Sequence, residues 1–284
     1  MNPAFSVATA VRNGMPLIRA CVASVAAQPE LREHLVQDAC SSDGTAAWCA
    51  GQPGLALRSE RDSGMYDAIN RAWSRSGGAY LSWLNADEQY LPGALAAVQA
   101  AFERDPGIDA VFGDAIIVGP DGRPLAYRRE PPPRAFYIRN SFLYLYSCTL
   151  FYRRRLWDEG LLRLDTRLRY AADMDLVLRL LDAGCRFARV DLPLASYMAT
   201  GANLSMHSGM AEETRLLQRR HGALRWGPAR ALARVPRWIE RWSIGGFASR
   251  SGVLRQFDRD AVAREWRFER LGTRYSVFDP SLGT

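Results

Sequence analysis

Carboxylates carry most of the chemistry this sequence could do. Asp38 and Asp43 flank a loop of small residues, and Asp62 precedes Gly64. Asp87 and Glu88 follow the apolar run 79–84, and Asp173 and Asp175 open a later helical stretch. Such acids can hold a divalent cation; Mg2+ and Mn2+ favour carboxylates together with substrate phosphates. They can also accept hydrogen bonds from a base or ribose, or take a proton as a general base. Any one of them could instead cap a helix or carry a solvated loop charge. Other site types lack their signatures. No GxGxxG follows the first strand, no phosphate loop ends in GKS or GKT, and no GxSxG elbow occurs. His34, His207 and His221 are too scattered for a triad or a zinc cluster, so structural roles are expected; His207 stands apart in a polar loop.

The elements that must position these acids follow from pattern. Residues 4–11 read as a strand ended by the turn Arg12-Asn13-Gly14, and 16–27 carry apolar residues at helical spacing. Weak strand character at 34–37 leads into the polar loop 38–45. A helix is expected over 45–50, a strand over 55–59, a helix over 65–76 and a strand over 79–84. An amphipathic helix follows at 91–104, then a strand at 110–118 and a helix at 170–183. Alternation of this kind implies an α/β fold with a mostly parallel sheet and helices on both faces. Ligands bind such sheets at the carboxyl ends of the strands. The polar clusters after Val11, Gln37 and Leu84 all fall there.

Three motifs then resemble the family 2 glycosyltransferases of the GT-A fold. The stretch 58–88, RSERDSGMYDAINRAWSRSGGAYLSWLNADE, is similar to that family's S-E-x-D-x-G-x-Y-D-A-x-N followed by an apolar strand ending in L-N-x-D-D. The opening FSVATAVRN resembles the family's S-V-x-T strand, and DACSSDGT its D-G-x-S-x-D-G-T loop. The likeness covers roughly residues 4–210. It implies an inverting, metal-dependent transfer of a hexosyl group from a nucleotide diphosphate sugar, UDP- or dTDP-linked. The acceptor is a hydroxyl on a saccharide or a lipid-linked acceptor, as in bacterial cell-surface polysaccharide or glycoconjugate synthesis.

The resemblance also implies roles. Thr9, Ala10 and Asn13 line the nucleotide pocket, the first two through backbone. Asp38 accepts from the base, and Asp62 approaches the donor nucleotide. Asn85-Ala86-Asp87 takes the place of D-x-D, with Asp87 binding Mn2+ or Mg2+. Asp173, in ADMD, matches the E-D-x-D general base, and Asp175 is the helix-surface alternative. Residues 201–205 resemble the G-G-x-S segment over the site. Two departures stand out: Asn85 replaces an acid, which lowers the expected metal affinity, and Ala172 replaces the acid before the base.

Composition bounds the rest. The 284 residues are 48% hydrophobic and 24% charged, ordinary for a globular protein. No run of about 18 apolar residues suggests a membrane span. The N-terminus reads as a strand and not as a signal peptide. Five cysteines without a CxxC pair suit free thiols and a cytoplasmic location. The net charge is +7, all of its cations Arg. Residues 216–284 hold 14 Arg against six acids, a net of +8, which leaves −1 for the rest.

Residues 1–215 are therefore read as the transferase domain and 216–284 as a basic, Arg/Trp-rich helical extension. Such a tail suits an anionic membrane surface met from the cytoplasm, or an oligomer contact; no nucleic-acid motif is present. Phe142, Tyr144, Tyr146 and Phe151 could stack on sugars or simply fill the core. The competing classes are a nucleotidyltransferase, which needs a triphosphate cradle near Arg12-Asn13-Gly14, and a non-catalytic nucleotide-sugar or nucleic-acid binder.

Overall fold

The computed structural model describes residues 4–201, 203 and 207–275. Strands β1 (Phe5–Val11), β2 (Leu31–Asp38), β3 (Leu55–Ser59) and β4 (Tyr80–Trp83) lie in the order β3-β2-β1-β4, all parallel. Helices α1 (Ile18–Ala26), α2 (Thr45–Ala50) and α3 (Met65–Ser74) connect them. β1 is mostly apolar, with Ser6 and Thr9 among its residues, and all but Ala10 is buried, as expected of a parallel sheet covered on both faces.

Beyond β4 the sheet continues through β8 (Leu150–Arg153), β6 (Ala110–Val118), β9 (Phe187–Met198) and β5 (Gln89–Tyr90). β7 (Pro124–Arg128) pairs with β6. β8 runs antiparallel to both β4 and β6, whereas β9 is parallel to β6. Helices α4 (Ala94–Arg104), α5 (Ala135–Arg139), α6 (Arg154–Asp158) and α7 (Ala172–Asp182) complete the layers. The expected α/β sheet with helices on both faces is present.

Each face of the sheet carries its own core. One gathers Trp73, Trp83, Tyr152, Leu156 and Leu176; the other gathers Phe5, Ile18, Val22, Phe102 and Phe151. α3 shows why its sequence is a helix. Tyr66, Ile69 and Trp73 recur at helical spacing and are buried, and Gly64, at φ 128°, lets the chain turn sharply into it. The Trp73 indole packs on Trp83 at 5.4 Å and donates to the Ser82 carbonyl at 3.1 Å. Truncating such a side chain costs about 3–5 kcal/mol.

The structure settles points the sequence left open or placed differently. β2 begins at Leu31, earlier than its weak pattern suggested, because its N-terminal half is only partly covered. The aromatic stretch 136–151 holds no single element; it breaks into α5, a loop and a 3-10 turn at Ser147–Thr149 before β8. Phe151 and Tyr144 are core residues, while Phe142 is exposed.

The tail is helical over α8 (Ser208–Arg220), α9 (Gly227–Leu232) and α10 (Val235–Ser243). It then forms an antiparallel hairpin, β10 (Arg250–Phe257) and β11 (Ala263–Leu271). Arginines at 250, 255, 264, 267 and 270 gave the segment the composition of the Arg-rich helical stretch before it and hid the hairpin; Leu254 and Leu271 are its buried anchors. Gln89 ties it to the sheet, accepting from Phe257 N–H at 2.8 Å and donating to the Phe257 carbonyl at 2.9 Å.

Candidate active site

The register places the acids. Val11 lies opposite Asp38, Asp38 opposite Ser59, and Ala8 opposite Trp83. The carboxyl ends of β3, β2, β1 and β4 therefore meet at one edge, on both sides of β1. There the strand order reverses, which is where open α/β sheets bind ligands.

Two loops at this edge are knitted together. Backbone N–H groups of Asn13, Gly14 and Met15 donate to Ser41 Oγ (2.7 Å), Thr45 Oγ1 (2.9 Å) and Asp43 Oδ2 (2.9 Å). Asn13 Oδ1 accepts from Ser42 N–H at 2.9 Å. Asn13 can do this because it sits at φ 54°, a conformation asparagine tolerates. With those N–H groups spent, the turn offers no cradle to a triphosphate, which removes the basis for the nucleotidyltransferase alternative. Thr9 is buried, and its hydroxyl meets His34 Nε2 at 2.9 Å. Only its backbone is left for a ligand. Burial drives the His34 imidazole down to about 3, so it stays neutral. Ala10 is half-buried beside it.

Asp38 is fully buried. Its carboxylate accepts from Ser41 N–H (3.1 Å), from the Ser41 hydroxyl and from the Ser59 hydroxyl (2.6 Å). A base contact at Asp38 would have to displace one of these donors. Asp62 is half-buried and accepts from Gly64 N–H at 3.0 Å. Burial raises its proton affinity, while the charges of Arg71 and Arg12 work against that.

Asn85, Ala86 and Asp87 follow β4. Gly14 packs on Ala86: a β-carbon there would lie 3.4 Å from Ala86 Cβ and 2.4 Å from Val11 Cγ2. A side chain at 14 would thus push apart the loops after β1 and β4. Asp87 is half-buried, and burial raises its acid. Glu88, named among the candidate acids but given no role by the resemblance, is fully buried and its oxygen accepts from Asn85 N–H at 2.8 Å. Burial, then the charge of Asp87, raises the proton affinity of Glu88. It braces the turn from inside.

Would these residues suit a metal? Asn85 Oδ1 is buried with no hydrogen-bond partner among the described residues, and Asp87 offers a carboxylate two residues further along the same turn. Among the described residues no cluster of three or more His, Cys, Asp or Glu could hold an ion unaided. One carboxylate plus one amide oxygen, completed by diphosphate oxygens, is a donor set a hard cation accepts. The residues present fit.

Asp173 stands in the first turn of α7, half-buried, accepting from Met174 N–H at 2.8 Å. Burial lifts it to about 6, helped by the like charge of Glu213. The Tyr66 hydroxyl on α3 lies near the backbone of Ala172 and Asp173, at the start of α7. Between them lies a cleft of about 180 Å3, walled by residues 63–67 and 166–169. Its walls are the segments leading from Asp62 and toward Asp173.

Glu213, on α8, accepts from the N–H groups of Arg169, Tyr170 and Ala171 at 2.7, 2.8 and 2.9 Å. Tyr170 stacks on His207 at 4.6 Å. The motifs missed Glu213 because its partners are backbone groups 40-odd residues away, invisible to spacing. Asp175 has a different life. It is buried against Arg179 (2.7 Å), His221 (3.3 Å) and Arg220 (3.4 Å). Burial alone would raise it, but the hydrogen bonds from His221 and Arg179 win and hold it low. It staples α7 to α8. In the 201–205 segment, Ala202, Leu204 and Ser205 lie outside the described residues. Asn203 accepts from Thr200 N–H at 2.9 Å.

With this geometry in hand, comparison with known families is decisive. Residues 6–161, more than half of the chain, match the model of glycosyl transferase family 2. The chain belongs to glycosyl transferase family 2. The match spans Thr9 to Glu88 and stops short of Asp173 and Glu213. Solved structures share the fold of this family 2 chain. S. aureus TarS 1-349 in complex with UDP-GlcNAc superposes with a TM-score of 0.63, at 18% identity over 86% of this chain and 73% of that one. The mannosyltransferase PcManGT from Pyrobaculum calidifontis, in complex with GDP-Man and Mn2+, gives 0.57 at 19% identity, over 87% and 73%. Among curated proteins nothing matches.

Proposed function

We propose that this family 2 chain is a metal-dependent, inverting glycosyltransferase that takes its sugar from a UDP- or dTDP-linked donor. One observation carries the reading. The start of α7, with its buried acid Asp173 raised to about 6, follows one wall (166–169) of a cleft whose other wall (63–67) follows Asp62. The solved neighbours bound to UDP-GlcNAc and to GDP-Man with Mn2+ are in keeping with it.

In this reading Thr9, Ala10 and Asn13 form the nucleotide wall. Asp38 serves the base side chiefly by clamping Ser41 and Ser59 in place, and Asp62 shapes the donor mouth. Asp87, with Asn85 Oδ1, would hold Mn2+ or Mg2+, and Ala86 keeps that turn against Gly14. When bound, the ion neutralises charge on the leaving diphosphate. Asp173 accepts the proton of the acceptor hydroxyl as its oxygen bonds to the anomeric carbon. The bond from that carbon to the diphosphate breaks, and its electron pair leaves with the diphosphate. A single displacement inverts the anomeric centre, as direct attack does in glycoside hydrolysis. The acceptor is a saccharide or a lipid-linked acceptor, and the basic tail meets the membrane that presents it. Work in cell-surface polysaccharide or glycoconjugate synthesis, at the inner face of the membrane, belongs to the same proposal.

The test is turnover. Purified protein is given UDP- and dTDP-sugars with Mn2+, and nucleoside diphosphate release is followed with and without EDTA. The proposal expects release that EDTA stops and that Asp87→Ala abolishes. Release that continues in EDTA and in Asp87→Ala would sink the metal assignment. No release from any donor would sink the reading as a whole.

A further inference from the structure

α10 is built inside out. Val235, Trp238, Ile239 and Trp242 recur at the spacing of one helix face, yet they are 46%, 60%, 62% and 74% exposed. Arg237 and Arg241, on the other face, are 4% and 8% exposed. They point inward for a reason. Arg237 donates to Glu130 Oε2 at 2.8 Å and lies over the Tyr144 ring at 4.2 Å, and Arg241 Nε donates to the Arg129 carbonyl at 3.1 Å. Glu240 is held by Arg134 at 2.7 Å. The cations thus fasten the helix to the body and leave its apolar side outward. The preceding segment adds two more exposed apolar side chains, Trp226 and Leu232, 67% and 66% exposed. Phe142, under Arg237, is exposed too.

Contiguous exposed apolar side chains mark a contact surface. We infer that the outer face of α9 and α10 lies in the interface of an anionic lipid bilayer, with Trp226, Leu232, Trp238, Ile239 and Trp242 inserted. Three features favour lipid over a second copy of the chain. Arg225 and Arg234 border the face, exposed and without an acidic partner among the described residues. Glu240, the one acid in α10, is already neutralised by Arg134. Two such faces, each part of a tail with net charge +8, would set like charges against each other. Tryptophan, an apolar body with one polar N–H, suits the boundary between lipid and water.

This rests on the proposal that the tail meets the membrane and sharpens it. The arginines in α10 itself are spent inward, so apolar insertion dominates and border charges only add to it. Binding should therefore survive salt that would strip a purely electrostatic contact.

The experiment is vesicle co-sedimentation of the full chain, with phosphatidylglycerol-containing and pure phosphatidylcholine vesicles, at low and high salt. The double variant Trp238→Glu/Trp242→Glu is compared with Arg225→Ser/Arg234→Ser. All four positions are exposed, and thermal melting checks the fold. The inference expects binding to anionic vesicles, weakened about tenfold or more by the tryptophan variant. The arginine variant should lose less and mainly at low salt. Loss only with the arginine variant would overturn this face while keeping a membrane-facing tail. No binding by the native chain would overturn both. A native dimer that the tryptophan variant splits, without vesicles present, would assign the face to a second copy and overturn the lipid.

Discussion

The carboxylate of Glu213 accepts three consecutive backbone N–H groups, those of Arg169, Tyr170 and Ala171, two residues before Asp173. The same carboxylate adds its negative charge to the forces that raise Asp173. One residue of α8 thus both places the proposed base and tunes it. Replacing it separates the two effects. Glu213→Gln keeps an acceptor oxygen but removes the charge, so Asp173 should lose protons more readily. The acid limb of the pH–rate profile should move to lower pH. Fewer accepted N–H groups should cost about 1–3 kcal/mol in denaturant unfolding. An acid limb that stays in place would show that Glu213 only positions.

Asp173 and Asp175 stand two residues apart and should respond in opposite ways. Asp173→Asn should lower kcat by about a hundredfold or more, the usual worth of a general base. It should also stabilise the fold at pH 7. An acid raised from its ordinary 3.8 to about 6 is costly to keep ionised. At about 1.4 kcal/mol per tenfold change in proton affinity, relief is about 3 kcal/mol at most. Asp175→Asn should instead keep most activity and lose stability, because it breaks the contacts to Arg179 and His221. Equal loss of activity in both variants, measured beside melting curves, would argue against the assignment.

The pH dependence follows from the same acid. Asp173 must be ionised to accept a proton, and burial holds it near 6. kcat/KM should be level above about pH 7 and fall tenfold per pH unit well below 6. The stability contribution has the opposite sign. The folded acid binds its proton more tightly than the unfolded one, so its contribution is greatest below about 4 and is lost as pH rises through about 6. A profile level down to pH 5 would exclude Asp173 as the base.

Asn85→Asp restores an acid at the first D-x-D position. A second carboxylate raises the charge seen by a bound cation. The Mn2+ concentration for half-maximal activity should drop by about tenfold. An unchanged requirement would mean that Asn85 Oδ1 does not face the ion.

The strand-end loops were legible in the sequence because their signals are local. Short loops after strands carry Asn13, Asp38, Asp62 and Asp87, and each loop stays in register with its strand. Legibility faded where partners are distant. Glu213 serves backbone from across a helix, and Glu88 matters only because the fold buries it. The hairpin of the tail was hidden because its several arginines, at irregular spacing, gave it the composition of a solvated basic helix. α10 misled in another way. Arg237 and Arg241 look like surface charge, and only Glu130 and the Arg129 carbonyl explain why they turn inward.

The central claim is that the edge beside β1 binds a nucleotide diphosphate sugar with a divalent ion at Asp87. Thermal unfolding with UDP- and dTDP-sugars, with and without Mn2+, tests it most directly. Ligand at a hundred times its Kd adds about 2.7 kcal/mol to the native state, a rise of several degrees in Tm for a chain of this size. The account predicts that rise with donor and Mn2+ together, a smaller one with donor alone, and none from Mn2+ in Asp87→Ala. A chain whose Tm no nucleotide sugar moves, with or without the metal, would contradict it.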